Sequence, residues 1–238
     1  MILCIDCGNS RIKWGLHADG RWQEVGAVDR TAAAELADLT RRWPRPQRVM
    51  VANVAGAAIG DAVAAALAPW GNIVAWAVSE AARAGVSNGY ANPEQLGVDR
   101  WCALIGARGL VAGASLVVCA GTATTVDTLD ADGHFRGGLI LPGFELMRRS
   151  LAGNTAQLYL AEGHWQEFPR CTEDALISGC LEAQVGAIER AYRRIAGEPG
   201  AQCLLTGGAA PAIAAQLDVP HRLVDNLVLE GLRRLAAD

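Results

Sequence analysis

One local pattern occurs twice in this chain, and that duplication limits its fold more than any other feature. Near the start, "ILCIDCGNSRIKWG" runs an apolar strand into Gly8-Asn9-Ser10 and out again. "VVCAGTATTVD", Val117 to Asp127, does the same around Gly121-Thr122-Ala123. Each copy opens a run of three strands. Residues 2–8, 11–17 and 21–28 read as the first set, the last two joined by Ala18-Asp19-Gly20, whose Asp-Gly is a hairpin signal. Residues 115–120, 124–130 and 134–141 read as the second set, with Ala131-Asp132-Gly133 as its corresponding turn.

Helices and strands then alternate behind each set. The first is followed by a helix over Thr31 to Arg42, with Thr31 as N-cap and Pro44 beyond its end. Next come a strand over Arg48 to Ala55, a helix over Ala57 to Ala68 and a strand over Ile73 to Val78. A polar loop, Ser79 to Gly97, leads to a helix from Asp99 to Val111. The second set is followed by helices at 143–152 and 173–196, a strand at 202–206, a short helix at 210–217 and a last helix from 225. This order predicts an α/β protein of two duplicated domains, each a mixed sheet flanked by helices, spanning 1–113 and 114–238. A cleft between two such halves is the expected place for a ligand.

Composition removes several function classes. The net charge of -4 is spread without a basic stripe, so no nucleic-acid partner is expected and any phosphate must be held by local groups. Ala62 to Ser79 carries no charge and is almost long enough to span a membrane, but Pro69-Trp70-Gly71-Asn72 cuts it, so no membrane partner is expected. Seven cysteines, an odd number in apolar segments, fit thiols in a reducing cytoplasm better than a disulfide framework. Asp6 within the first apolar run, with no positive leader before it, argues against a signal peptide.

The two glycine turns can present backbone N–H groups, an amide and hydroxyls without side-chain bulk, which close approach to phosphate oxygens requires. Either alone could be only a tight hairpin; two at equivalent places in a duplicated fold make a phosphate clamp the better reading. Asp6, inside a strand just before the first turn, is costly unless paired, solvated or near a cation, and suits Mg²⁺ held through water. Lys13 is either a source of positive charge at that turn or a solvated hairpin lysine. In "EQLGVDRW", Asp99 and Arg100 are either an N-cap with an exposed arginine or a base with its neighbour at a cleft edge; Tyr90 lies on the same loop. "RGGLILPG", Arg136 to Gly143, forms a rigid turn before a helix, and Gly207-Gly208 in "CLLTGGAA" leaves bare backbone where a base or ribose could lie.

Other signals are declined. Cys4 and Cys7 spell C-x-x-C but sit in a strand, where positions i and i+3 face opposite sides. His17, His134, His164 and His221 show no metal-ligand spacing, and neither a P-loop nor a Rossmann glycine motif occurs.

Asp6-Cys7-Gly8-Asn9-Ser10, "LGVDR", "AGTATTVD", "GGLILPG" and "TGG" together, in this order and across essentially the whole chain, resemble the type III pantothenate kinases. These belong to the acetate/sugar kinase, Hsp70 and actin superfamily, so the resemblance implies ribonuclease H-like, actin-like ATPase domains with an interdomain cleft. It implies a cytoplasmic homodimer that uses ATP and Mg²⁺ to phosphorylate the primary hydroxyl of pantothenate, the first step of coenzyme A synthesis. By the same resemblance, Asp6, Cys7, Gly8, Asn9, Ser10, Arg11, Ile12 and Lys13 form the first phosphate loop, with Asp6 placing Mg²⁺. Gly121 and Thr122 form the second, and Gly207 and Gly208 lie near the nucleoside. Asp99 is the general base, and Tyr90, Gly97, Val98 and Arg100 line the pantothenate site, with Thr172 reaching it across the dimer interface. Cys119 departs from the pattern: related chains place there an aspartate that helps bind K⁺ or NH₄⁺, so weak dependence on a monovalent cation is expected. Two alternatives remain open, another small-molecule kinase of the superfamily and a non-catalytic ATP-binding regulator; intact Asp6, Asp99 and Arg100 argue against the second.

Overall fold

The computed structural model describes residues 1–154 and 162–238. The chain divides into two compact units. Unit 1 comprises Met1–Leu110, Gly133–Phe135 and Asn226–Asp238; unit 2 comprises Val111–Asp132 and Arg136–Asp225.

In unit 1, β1 (Ile2–Cys7), β2 (Arg11–Ala18), β3 (Arg21–Asp29), β4 (Arg48–Asn53) and β5 (Val74–Trp76) form a sheet in the order β3-β2-β1-β4-β5. The first three strands are antiparallel, while β4 and β5 join parallel to β1. Parallel additions need crossovers, and each here contains a helix: α1 (Ala37–Arg42) before β4, and α2 (Ala57–Ala66) before β5. Alternation along β1 sends Leu3, Ile5 and Cys7 into a core with Val49, Val51, Leu36, Val63, Leu67 and Trp70. Cys4 and Asp6 therefore point to the opposite face.

Two helices of this unit, α3 (Val98–Leu110) and α7 (Leu227–Ala237), pack along each other, with α7 against β1 and β4. Their crossing is built on glycine. A Cβ on Gly231 would stand 1.8 Å from the Cys102 carbonyl oxygen, and one on Gly106 would stand 2.4 Å from that of Leu227. This close approach explains why the last helix groups with the first unit, whereas the linear division after residue 113 puts it with the second.

In unit 2, β8 (Ser115–Ala120), β9 (Ala123–Leu129), β10 (His134–Pro142), β11 (Gln202–Thr206) and β12 (His221–Leu223) run in the order β10-β9-β8-β11-β12. This is the topology of unit 1 repeated, with β8 antiparallel to β9 and parallel to β11, and β12 parallel to β11. Besides α4 (Phe144–Asn154) and the short α6 (Ala210–Ala214), the unit holds α5 (Thr172–Tyr192). Its stripe of Ile177, Leu181, Val185 and Ile188 packs on Leu116, Val118, Cys203 and Leu205. Glu173 and Asp174 in its first turn complement the helix dipole.

Local capping and turns moved some boundaries. The helix expected from Thr31 begins instead as a 3₁₀ segment, Arg30–Leu36, capped by Asp29, whose carboxylate accepts from the Thr31 N–H at 2.8 Å. The stretch 79–97 is not a plain loop. Ala84 and Gly85, both at positive φ, turn a short hairpin between β6 (Ala82–Arg83) and β7 (Val86–Asn88), and β7 pairs parallel with His134 and Phe135.

Because the atom that a Gly231 Cβ would meet is backbone, the α3–α7 contact cannot absorb it by a rotamer change. Gly231→Ala is expected to destabilise the protein by about 2–3 kcal/mol, read from urea denaturation. An unchanged midpoint would mean that the two helices can separate at little cost.

Candidate active site

Around Asp6, unit 1 brings together two of the charged residues singled out above, Lys13 and Asp99. Asp6 ends β1 and is the cross-strand partner of Lys13 on β2, so both side chains lie on one face of the sheet. That face is the α3 side, where Asp99 sits in the helix's first turn. Burial pushes the Asp6 carboxyl up to about 7; the charge of Asp99 raises it further toward that value and Lys13 opposes the shift. Cys102, one turn along α3, feels both carboxylates and is itself held well above the ordinary thiol range, chiefly by burial.

The turn after β1 is closed by the Gly8 N–H donating to the Arg11 carbonyl at 3.1 Å. Asn9, Ser10 and Arg11 are exposed there, whereas the Cys7 and Ile12 side chains are fully buried, so those two have only main chain to offer a phosphate. Burial pushes the Cys7 thiol up to about 12, and that of Cys4 higher, which makes the C-x-x-C pair inert core thiols. All seven cysteines are thiols rather than disulfides.

Asp99 is not an N-cap: α3 begins at Val98, and the Asp99 carboxylate accepts from the next N–H, of Arg100, at 2.8 Å. Gly97 makes room for it, since a Cβ there would lie 2.8 Å from the Asp99 Oδ1. Arg100 is not an exposed arginine either. It is only 5% exposed, its Nη1 donates to the Tyr90 hydroxyl at 2.9 Å, and its guanidinium carbon lies 5.7 Å from the Tyr90 ring centre and 5.8 Å from that of Phe135. Phe135 was not legible as part of this group. It looks like one more apolar residue after an Asp-Gly turn, and no local signal ties it to positions 90 and 100.

Unit 2 brings its two glycine turns side by side at the C-terminal ends of neighbouring parallel strands, β8 and β11, where ligands of open α/β sheets bind. Gly121 and Thr122 are exposed, the Gly121 N–H donates to the Ala123 carbonyl at 3.0 Å, and the Gly143 N–H donates to Thr122 at 3.0 Å. Gly207, at φ +105°, passes so close to Ala120 that a Cβ would stand 2.3 Å from its carbonyl oxygen, while Gly208 faces open space. Cys119 is half-buried between its cross-strand partners Thr125 and Thr206. Thr172, at the start of α5, instead lines an apolar groove of about 780 Å³ against α4, with Leu146, Met147, Leu151 and Leu176.

No group of three or more His, Cys, Asp or Glu side chains able to hold a metal occurs among the described residues. Asp6, a buried carboxyl within the field of Asp99, nevertheless suits Mg²⁺ held through water, an ion that takes few protein oxygens and keeps its remaining sites for water and phosphate. In the metal-free protein the Asp6 carboxyl holds its proton more tightly than in an unfolded chain, so its ionisation opposes folding. That penalty is absent below about pH 4 and complete above about 7. Asp6→Asn is therefore expected to be the more stable protein at about pH 8, by on the order of 2–4 kcal/mol, with the advantage fading toward pH 4. Urea denaturation at the two pH values measures it, and a variant equally or less stable at the higher pH would contradict the burial assigned to Asp6.

Comparison with known proteins gives the family of the chain. Residues 2–194 match the family model described as type III pantothenate kinase. The type III pantothenate kinase of Dechloromonas aromatica is 54% identical over 236 residues, covering 99% of both chains. That of Aromatoleum aromaticum is 56% identical over 238 residues, covering 100% of this chain and 98% of the relative. A Campylobacter jejuni crystal structure described as a candidate Baf family transcriptional activator superposes with a TM-score of 0.67 at 20% identity, over 99% of this chain and 97% of its own, a likeness of fold alone. Two repeated mixed sheets flanked by helices are the actin-like ATPase and sugar kinase architecture. The chain belongs to the type III pantothenate kinase family, enzymes that phosphorylate pantothenate in coenzyme A biosynthesis.

Proposed function

We propose that this protein transfers the γ-phosphoryl group of ATP to the primary hydroxyl of pantothenate with Asp99 as general base, giving 4'-phosphopantothenate and ADP. The observation that carries this reading is the Asp6–Asp99 pair beside the first glycine turn, with Lys13 opposite Asp6. Phosphoryl transfer asks mainly for alignment and charge neutralisation, and these residues supply both. Asp6 would hold Mg²⁺ through water, and the ion would supply positive charge to the phosphates. Gly8 to Lys13 offers N–H groups, a hydroxyl and an ammonium to the same phosphates. In unit 2, Gly121 and Thr122 contact the nucleotide, and Gly207-Gly208 leaves bare backbone for the nucleoside.

The acceptor side rests on α3 and the segment before it. One Asp99 oxygen is occupied by the Arg100 N–H, which fixes the plane of the carboxylate. The other takes the hydroxyl proton as the oxygen attacks phosphorus. Pantothenate also carries a carboxylate, and the Arg100 guanidinium with the Tyr90 hydroxyl presents a charge-assisted pair of donors for it. Gly97 and Val98 complete this side of the site.

The apolar groove between α4 and α5 supports a homodimer, since Leu146, Leu151 and their neighbours leave an apolar surface that a second copy would cover. Thr172 on its rim then reaches the pantothenate site of the partner. No helix among the described residues is long and apolar enough to cross a membrane, and seven thiols suit the cytoplasm.

A positioned base contributes about 10²–10⁴-fold, or roughly 3–5 kcal/mol of barrier. Asp99→Asn is expected to fold normally and to lower kcat at least about a hundredfold in a coupled ADP-release assay over pantothenate. Near-normal turnover would remove Asp99 from the role of base. Where related chains carry a carboxylate, Cys119 offers a sulfur between two threonines, a poor donor for a hard cation. Rates in Na⁺, K⁺ and NH₄⁺ are expected to differ little; strong activation by K⁺ or NH₄⁺ would mean that backbone carbonyls and threonine hydroxyls bind the cation unaided.

A further inference from the structure

Three segments meet at Arg100, one of them from 35 residues further along the chain. Tyr90 comes from the segment after β7, Arg100 from α3, and Phe135 from the start of β10. The Phe135 ring is fully buried, 5.3 Å from the Tyr90 ring at an interplanar angle of 39°, and the guanidinium packs against both rings. Arginine has many rotamers and a planar fork that recognises carboxylates only when held in one orientation. Two aromatic faces and the Tyr90 hydroxyl supply that restraint.

The position of Phe135 is itself over-determined. Its strand pairs with β7 in the register His134↔Ser87 and Phe135↔Asn88, and the Ser87 N–H donates to the Gly133 carbonyl at 2.9 Å. The Ser87 hydroxyl and His134 Nδ1 stand 3.0 Å apart. Gly89 lies so close that a Cβ would stand 2.0 Å from the Phe135 carbonyl oxygen. Immediately beyond it, the Tyr90 N–H donates to Asn88 Oδ1 at 3.1 Å, and Asn88 Nδ2 donates in turn to the Pro93 carbonyl at 3.1 Å. Backbone pairing and the missing side chain at 89 thus lock the Tyr90 segment onto Phe135.

We propose that Phe135 is a positioning residue for the acceptor substrate, holding the Arg100 guanidinium and the Tyr90 hydroxyl in the arrangement that receives a carboxylate. The inference rests on the reading of Arg100 and Tyr90 as pantothenate ligands. Phe135 touches neither the reacting hydroxyl nor the phosphates, so its loss weakens acceptor binding and leaves nucleotide binding and the chemical step intact.

The test is steady-state kinetics on purified, folded protein, varying pantothenate at saturating ATP and ATP at saturating pantothenate. Phe135→Leu and Phe135→Met both remove the aromatic face at nearly equal volume, Leu with a branched and Met with an unbranched, more adaptable side chain. Both are expected to raise KM for pantothenate about tenfold, the size of effect of losing one ring–cation and one ring–ring contact, with kcat and KM for ATP within about twofold of the parent. Unchanged KM for pantothenate in either variant overturns the proposal, as does a loss shared equally by both substrates or carried by kcat. Failure of both variants to fold also overturns it, because Phe135 would then serve the core. A parent protein that releases no ADP with pantothenate defeats the proposed function itself, whereas an active parent with indifferent variants defeats only the role of Phe135.

Discussion

A carboxylate at the end of a buried strand, within the field of a second carboxylate on a helix, is the constraint around which unit 1 is organised. Asp6 cannot turn to solvent without reversing the alternation that buries Leu3, Ile5 and Cys7 on the other face of β1. Its surroundings push the carboxyl up to about 7, so the fold holds at this point an acid near half-ionisation at neutral pH. Such strain is characteristic of sites that await a ligand, because a divalent cation shared with phosphate oxygens turns two repelling carboxylates into useful ones.

The duplicated topology gives each unit the same strand–turn–strand frame. Each unit ends a central strand in a glycine turn, and each places a parallel strand beside it. In unit 1 the turn carries Asp6 and Lys13, suited to metal and phosphate; in unit 2 the corresponding turn carries no acidic or basic residue, with Cys119 at the equivalent of Asp6. The second turn is also one residue tighter: Gly8 closes on Arg11, whereas Gly121 closes on Ala123. The two turns thus share a topology and differ in charge, the first acidic and basic, the second neutral.

Much of this was legible because its causes are local. The strand–glycine–strand pattern, the Asp-Gly turns and the apolar stripe of α5 depend on neighbours within a few residues, and the sequence shows them directly. The Ala84-Gly85 hairpin escaped notice because alanine seldom adopts positive φ, and its formation depends on pairing with His134 and Phe135. The assignment of α7 to the first unit hangs on a contact between Gly231 and Cys102, over a hundred residues apart, that no periodicity encodes. For the same reason Asp99 and Arg100 could be singled out as candidate site residues, while the buried aromatic setting of Arg100 could not. Reactive pairs announce themselves by residue type; what holds them in place is tertiary.

The central claim is that Asp6 and Asp99 are electrostatically coupled across β1 and α3. Isotope-edited NMR of the aspartate carboxyl carbons in metal-free protein, comparing the parent with Asp99→Asn, measures this directly. The account predicts an Asp6 midpoint near 7 in the parent that moves down when the Asp99 charge is removed, yet stays above an ordinary aspartate's 3.8 because burial remains. An Asp6 that titrates near 3.8 in both proteins would contradict it.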